Sequence, residues 1–374
     1  MNTLGPHEGA QVREPPPGWW IFHGTGLPDP EARFPDPPPW REYGGGPPLP
    51  DPPEGDEGDR VLGAVPTAPE WGAGADPERE DLLDKVNAAL LLRRPLLVSG
   101  PPGVGKTTLA YQIARELGLG RVLAWNINSA STVRSGLYSY DPISQIHDLN
   151  LENSARGGTG HQATEEEILR DSARRIGRYL RLGPLGTAFL PYRRPRVLLI
   201  DDFDLGDFDL SGDLLNLFET GGYTVPELER LSEVMAGEAV PVGTDDPGAR
   251  APVVRGRVLC SAFPVVVITC NSEKELSPAF LRRTIPLRIG LPSQERLMRM
   301  VAHHFRFHGG PPHVVTQLVD EFTRRGADGG LAIDQLLNAI RLVSTAAPGS
   351  ESLEPDQLRH LTDILWHRLT ESPG

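Results

Sequence analysis

Residues 96–118 read LLVSGPPGVGKTTLAYQIARELG, and the fold follows from them. A short apolar run ends in a glycine-rich turn, then passes into apolar residues at helical spacing. Gly100 to Thr107 matches G-x-x-x-x-G-K-[ST] in the strand–turn–helix context that gives this pattern its meaning. Gly100, Gly103 and Gly105 let main-chain N–H groups curl around phosphate oxygens, with Pro101, Pro102 and Val104 between them. The following helix adds its positive dipole end. Lys106 is expected on the β- and γ-phosphates, Thr107 on Mg²⁺, and Thr108 completes the binding stretch.

Lysine usage sharpens this reading. Lysine occurs only at Lys85, Lys106 and Lys274, whereas arginine is abundant. A lysine kept inside a glycine-rich loop is informative, because a compact ammonium and a planar guanidinium are not interchangeable there.

A second stretch, RPRVLLIDDFDLGD from Arg194 to Asp207, reads as a buried strand that delivers carboxylates. Asp201, at the strand's end, is expected to hold Mg²⁺ through water. Asp202 follows in the position that orients the attacking water, where most machines of this design carry glutamate. Its shorter side chain predicts slow hydrolysis, since a misplacement of about 1 Å costs about a hundredfold. A small backbone shift is the alternative outcome.

The stretch FPVVVITCNSEKELSPAFLRRTIPLRI supplies a further strand, Val265 to Thr269, with Asn271 at its tip. An amide there is placed to bond a γ-phosphate or the nucleophilic water; a plain turn asparagine is the competing reading. Arg282 and Arg283 close a short helix. They are candidates for an arginine reaching a neighbouring subunit's phosphates, or for a charged helix end favoured by the dipole.

The rest of the chain falls into three parts. Residues 1–75 are rich in proline and glycine, which opposes helix and central strand. Yet Trp19, Trp20, Phe22, Phe34, Trp40, Tyr43 and Trp71 lie there, so an arm with docking aromatic anchors is expected. Residues 76–291 alternate buried runs (PLLVSG, VLAWNIN, RVLLIDD, FPVVVITCN) with helical patterns, predicting an α/β fold with a parallel sheet flanked by helices. Residues 292–374 carry apolar positions at helical spacing, among them Leu297, Met300, Val301, Phe305, Val315, Leu318, Phe322, Leu336, Leu337, Ile340, Leu358, Leu361 and Leu365. They predict a small all-α lid. His303 and His304 lack partners at metal spacing.

No apolar run reaches the roughly 18 residues that cross a membrane, and no signal segment opens the chain. Two cysteines, Cys260 and Cys270, make no disulfide framework. A reducing, cytoplasmic setting is the expectation. The formal charge of -13 opposes sequence-blind nucleic-acid binding.

With these residues in view, the chain resembles the MoxR-type branch of the AAA+ ATPases, within the helix-2-insert group. The resemblance spans roughly residues 76–370 and is most specific in NSEKELSPAFLRR. It implies ATP with Mg²⁺, a homo-oligomeric ring, usually hexameric, and remodelling or activation of a partner protein, frequently one with a von Willebrand factor A domain. It also implies that residues 221–260 hold pore-proximal insertions. SASTVRSGLYSYDPI, with Tyr138 and Tyr140, is a candidate pore or subunit-contact loop, with simple packing as the equal alternative. The sequence departs from the family at Asp202, and at Asp334 or Gln335, near where many relatives carry a lid arginine. Two rivals stand beside a slow ATPase: a nucleotide-gated scaffold without turnover, and a nucleic-acid motor resembling GTP-using translocases.

Overall fold

The computed structural model describes residues 17–55, 57–63, 65, 77–155, 175–232, 237–271, 276–295, 297–298, 301, 312–326, 332–346, 363 and 366. Trp71, Met300, His303, His304, Phe305, Leu358, Leu361 and Leu365 lie outside them, as does the block 272–275.

Eleven strands are present among the described residues: β1 (Leu96–Ser99), β2 (Leu123–Asn126), β3 (Tyr138–Tyr140), β4 (Leu180–Leu182), β5 (Val197–Asp201), β6 (Gly222–Thr224), β7 (Ala239–Gly243), β8 (Arg250–Val254), β9 (Arg257–Leu259), β10 (Val265–Cys270) and β11 (Ile285–Arg288). Five form one sheet in the order β11-β1-β10-β5-β2, every pair parallel. This is the expected α/β architecture. Its central strands β1, β5 and β10 are mostly apolar runs because both faces are covered, whereas the edge strand β11 carries Pro286 and Arg288. Alternation along each strand divides the interior in two. Leu96, Val98, Val197, Leu199 and Val267 face one apolar cluster. Leu97, Leu198, Ile200, Val266 and Ile268 face the other.

The first cluster holds the helix Pro77–Leu92, the phosphate-loop helix Lys106–Glu116, and buried residues of the C-terminal helices Pro312–Gly326 and Ile333–Ala346. Val315, Leu318, Phe322, Leu336 and Ile340 are buried at the expected helical spacing, together with Leu297 and Val301. These C-terminal helices therefore share an apolar cluster with the five-stranded sheet.

The second cluster is roofed by a six-stranded sheet, in the order β3-β4-β7-β8-β9-β6. Two insertions build it, one between β2 and β5 and one between β5 and β10. Most pairings are antiparallel, and β4 joins β7 through one parallel pair, Arg181 with Gly243. Pro241 sits opposite Pro252 in this sheet. Prolines inside strands obscure them in sequence, because they remove ladder donors. A buried pair fastens this layer to β5: the Arg196 guanidinium donates to both carboxylate oxygens of Asp246, at 2.7 and 2.8 Å.

The arm docks on the body. Asn87, fully buried, accepts the N–H groups of Ile21 and Phe22 and donates to the Phe22 carbonyl. Phe22 itself is fully buried in the first cluster. Glu116, also buried, accepts from the N–H of His23 and from both the N–H and the hydroxyl of Thr25. Further on, Arg93 lies over Phe34, and Tyr43 stacks on Phe263 at a centroid distance of 5.8 Å. Proline-rich composition does not preclude order here, because buried polar groups of the body find their partners in the arm's main chain.

Candidate functional site

The site forms where β1, β5 and β10 end together at their carboxyl edge, in the position where open parallel sheets bind ligands. β1 delivers the glycine-rich loop. Its three glycines adopt positive φ (151° at Gly100, 78° at Gly103 and 95° at Gly105), a region that side chains disfavour. Two of them are also contact points. A Cβ at Gly100 would lie 2.1 Å from the Ile289 carbonyl oxygen, and one at Gly103 would lie 2.7 Å from the Ile333 amide nitrogen. The loop is thereby wedged between the end of β11 and the first turn of the helix Ile333–Ala346. Val104 is buried below it.

Lys106 opens the phosphate-loop helix and is buried. Its ammonium donates to the carbonyls of Gly100 and Pro101 at 2.9 and 2.8 Å, and to Asn271 Oδ1 at 2.7 Å. Burial pushes its pKa below the usual lysine value, while Cys270 and the carboxylates of Asp202, Asp201 and Asp204 act in the opposite direction.

Thr107 donates to Asp201, at 3.0 Å to Oδ1 and 3.3 Å to Oδ2. A hydroxyl and a carboxylate brought together are the hard oxygen donors that Mg²⁺ takes. With Lys106 beside them and a loop of three positive-φ glycines, this donor set fits a Mg²⁺–nucleotide. Thr108 follows, half-buried.

Asp202 adopts the left-handed conformation, φ 56° and ψ 45°. Its N–H donates to Thr269 Oγ1 at 3.0 Å, and its Oδ1 accepts from Asn271 Nδ2 at 2.7 Å. Asn271 thus bridges the lysine and the acid. The Asn271 N–H in turn donates to Asp204 Oδ1 at 3.2 Å.

Two participants were not singled out in the sequence. Thr269 Oγ1 donates to Asp201 Oδ1 at 2.5 Å while accepting the Asp202 N–H. Asp204 positions Asn271. A lone threonine two residues before Asn271, in an otherwise apolar run, was the available signal, since alternate strand residues share a face.

Arg282 and Arg283 are exposed and stand apart from this cluster. Arg283 pairs with Glu219 of the helix Asp209–Thr220 and donates to the Ala279 carbonyl at 3.3 Å. The Arg282 guanidinium has no hydrogen bond or ion pair among the described residues. In the lid, Gln335 accepts the Ala332 N–H at 3.0 Å and Asp334 is exposed. Tyr138 is buried, its hydroxyl donating to Glu227 at 2.9 Å, and Tyr140 donates to Gln145. Packing, rather than a free aromatic tip, describes both tyrosines. No described helix is long and apolar enough to cross a membrane.

Residues 96–207 match the family described as "ATPase family associated with various cellular activities (AAA)". The chain is also 44% identical over 66 residues to the Holliday junction branch migration complex subunit RuvB of Pseudothermotoga lettingae, covering 17% of this chain and 19% of that protein. The chain thus spans about a fifth of the length of the curated relative it matches. The matched segment runs from β1 through Asp201 and Asp202, so it includes the glycine loop and the β5 acids but not β10 or Asn271. Residues 96–207 are thus similar to an AAA ATPase domain, and the glycine loop, Lys106, Thr107 and Asp201 lie within that matched stretch.

Proposed function

We propose that the chain is an ATP-hydrolysing AAA+ protein of MoxR type that assembles into a homo-oligomeric ring, usually hexameric in that group. The ring remodels or activates a partner protein, with a von Willebrand factor A domain as the expected kind. One observation carries the catalytic part: Asn271 joins Lys106 to Asp202, while Thr107 and Asp201 stand together beside them.

In this reading the loop amides and Lys106 hold the β- and γ-phosphates. Thr107 and Asp201 hold Mg²⁺, which when bound neutralises charge on the phosphate oxygens. Thr269 keeps the Asp201 carboxylate turned toward Thr107. Asp202 orients the attacking water and accepts its proton, with Asn271 fixing the carboxylate's direction. Asn271 lets go of Lys106 when that ammonium moves to phosphate, so the same amide registers nucleotide state. Arg282 serves a second copy's phosphates.

Calorimetry with Mg²⁺–ATP and steady-state phosphate release test this reading together. Wild type binds and turns over, while Lys106→Ala loses both. Binding with turnover no greater than that of Lys106→Ala would leave the nucleotide-gated scaffold instead. A second reading, a nucleic-acid-associated motor, draws on the similarity to RuvB. The charge of -13 weighs against it, and salt-dependent DNA affinity would revive it.

A further inference from the structure

We infer that Trp40, carried on the N-terminal arm, anchors a contact between two copies of this chain by seating against Leu205 and Phe208 of the second copy. This rests on the reading that Arg282 reaches a second copy's phosphates, and it assigns the arm a part in that delivery.

Trp40 is 73% exposed. Tryptophan is rarely left so open, and it is the residue type most enriched among the few that dominate interfaces. The segment presenting it is held at both ends. On one side Arg93 donates to the Pro35 carbonyl at 2.8 Å and lies over the Phe34 ring. On the other, Arg41 donates to the Phe218 carbonyl and to the Tyr43 hydroxyl, and lies 4.9 Å from the Phe263 ring centre. Between these stakes run Pro37, Pro38 and Pro39, with Pro38 at φ -57° and ψ 147°. A tryptophan on a stiffened strap loses little conformational freedom on binding.

Its position gives the occupant. Arg41 and Tyr43 rest on the Phe218 carbonyl, and the next residue, Glu219, holds Arg283. The residue beside Trp40, Arg41, thus reaches the helix end whose Glu219 holds Arg283, and Leu281, 43% exposed, and Arg282 precede Arg283 in the chain. If Arg282 is to reach phosphate on a second copy, this edge must face that copy's nucleotide site. The rim of that site displays Leu205 and Phe208, 55% and 68% exposed, beside Asp204, Asp207 and Asp209. One edge thus offers an apolar anchor with Arg282, and the other an apolar platform with aspartates. Such unlike, complementary faces favour head-to-tail association.

The test uses the full chain with Mg²⁺ and a non-hydrolysable ATP analogue. Cys260 and Cys270 are both buried, so introduced surface cysteines are the reachable thiols. A Trp40→Cys chain mixed with a Phe208→Cys chain should cross-link into dimers through a short bis-maleimide, while neither variant alone does so. Trp40→Arg should raise the protein concentration for half-assembly at least about tenfold, with nucleotide uptake and thermal melting as in wild type, and Trp40→Phe should restore assembly. Assembly of Trp40→Arg at the wild-type concentration, or of the mixed cysteine pair without cross-linking, overturns the anchor. The arginine reading then survives provided Arg282→Ala still lowers turnover. A wild-type chain that binds the analogue yet stays single at every concentration overturns both.

Discussion

Asn271 couples the phosphate-loop lysine to the acid that follows β5, accepting from Lys106 Nζ at 2.7 Å and donating to Asp202 Oδ1 at 2.7 Å. Replacing it with alanine leaves the loop amides, Thr107 and Asp201 in place but frees the Asp202 carboxylate. Asn271→Ala should therefore bind Mg²⁺–ATP within a few-fold of wild type and release phosphate about a hundredfold more slowly. Parallel calorimetry and phosphate-release assays check the split. Equal loss in both would show that the amide serves binding alone.

Asp202 occupies its site with φ at 56°, a conformation that aspartate tolerates and longer side chains adopt reluctantly. Lengthening the acid also carries its oxygens past the Asn271 amide. Asp202→Glu should thus lower turnover and cost about 1 kcal/mol of stability. The naive expectation, that restoring the common glutamate speeds the enzyme, would be supported instead by a rate increase in a steady-state assay.

The two arginines before β11 are not equivalent, because Arg283 is engaged by Glu219 of its own chain. Arg282→Ala should reduce turnover of assembled protein about a thousandfold, the lower range for an arginine acting on phosphoryl transfer. Arg283→Ala should change it less than about tenfold. Mixing Arg282→Ala with Lys106→Ala chains should recover part of the activity, since each supplies what the other lacks.

The arm is structural if its buried contacts count toward stability. Phe22→Ala should cost about 3–5 kcal/mol, as expected for a phenylalanine removed from a closed core. Thr25→Val, which takes one donor from the buried Glu116 carboxylate, should cost about 1–3 kcal/mol. Denaturant titration measures both. Neutral substitutions at the two positions would mean that the arm merely decorates the surface.

Burial raises the pKa of the Cys260 thiol to about 12. At pH 8 almost none of it is thiolate, and Cys270 is likewise buried. Native protein should resist maleimide over hours, with both thiols reacting once the chain unfolds in guanidinium. Rapid labelling of native protein would indicate that the core opens locally.

The motifs of the candidate nucleotide site stand out in sequence because they are local. Gly100, Gly103 and Gly105 are needed by one loop, and Asp201 and Asp202 close one apolar run. The parallel sheet was legible for a related reason: strands covered on both faces are apolar throughout. The second sheet was not. Its strands are three to five residues long and contain Pro241 and Pro252, so neither length nor periodicity separates them from loop.

What the sequence determined by itself was the chemistry of the phosphate loop, its lysine, and the acids after β5. Each is a demand of covalent geometry and charge on neighbouring residues. Only the tertiary structure decided that Asn271 touches both Lys106 and Asp202, that Thr269 braces Asp201, that Arg283 pairs with Glu219, and that buried Asn87 and Glu116 are satisfied by a proline-rich arm. These are contacts between residues far apart in the chain. No local pattern encodes them, because packing and the pairing of buried polar groups are settled only when the whole fold closes.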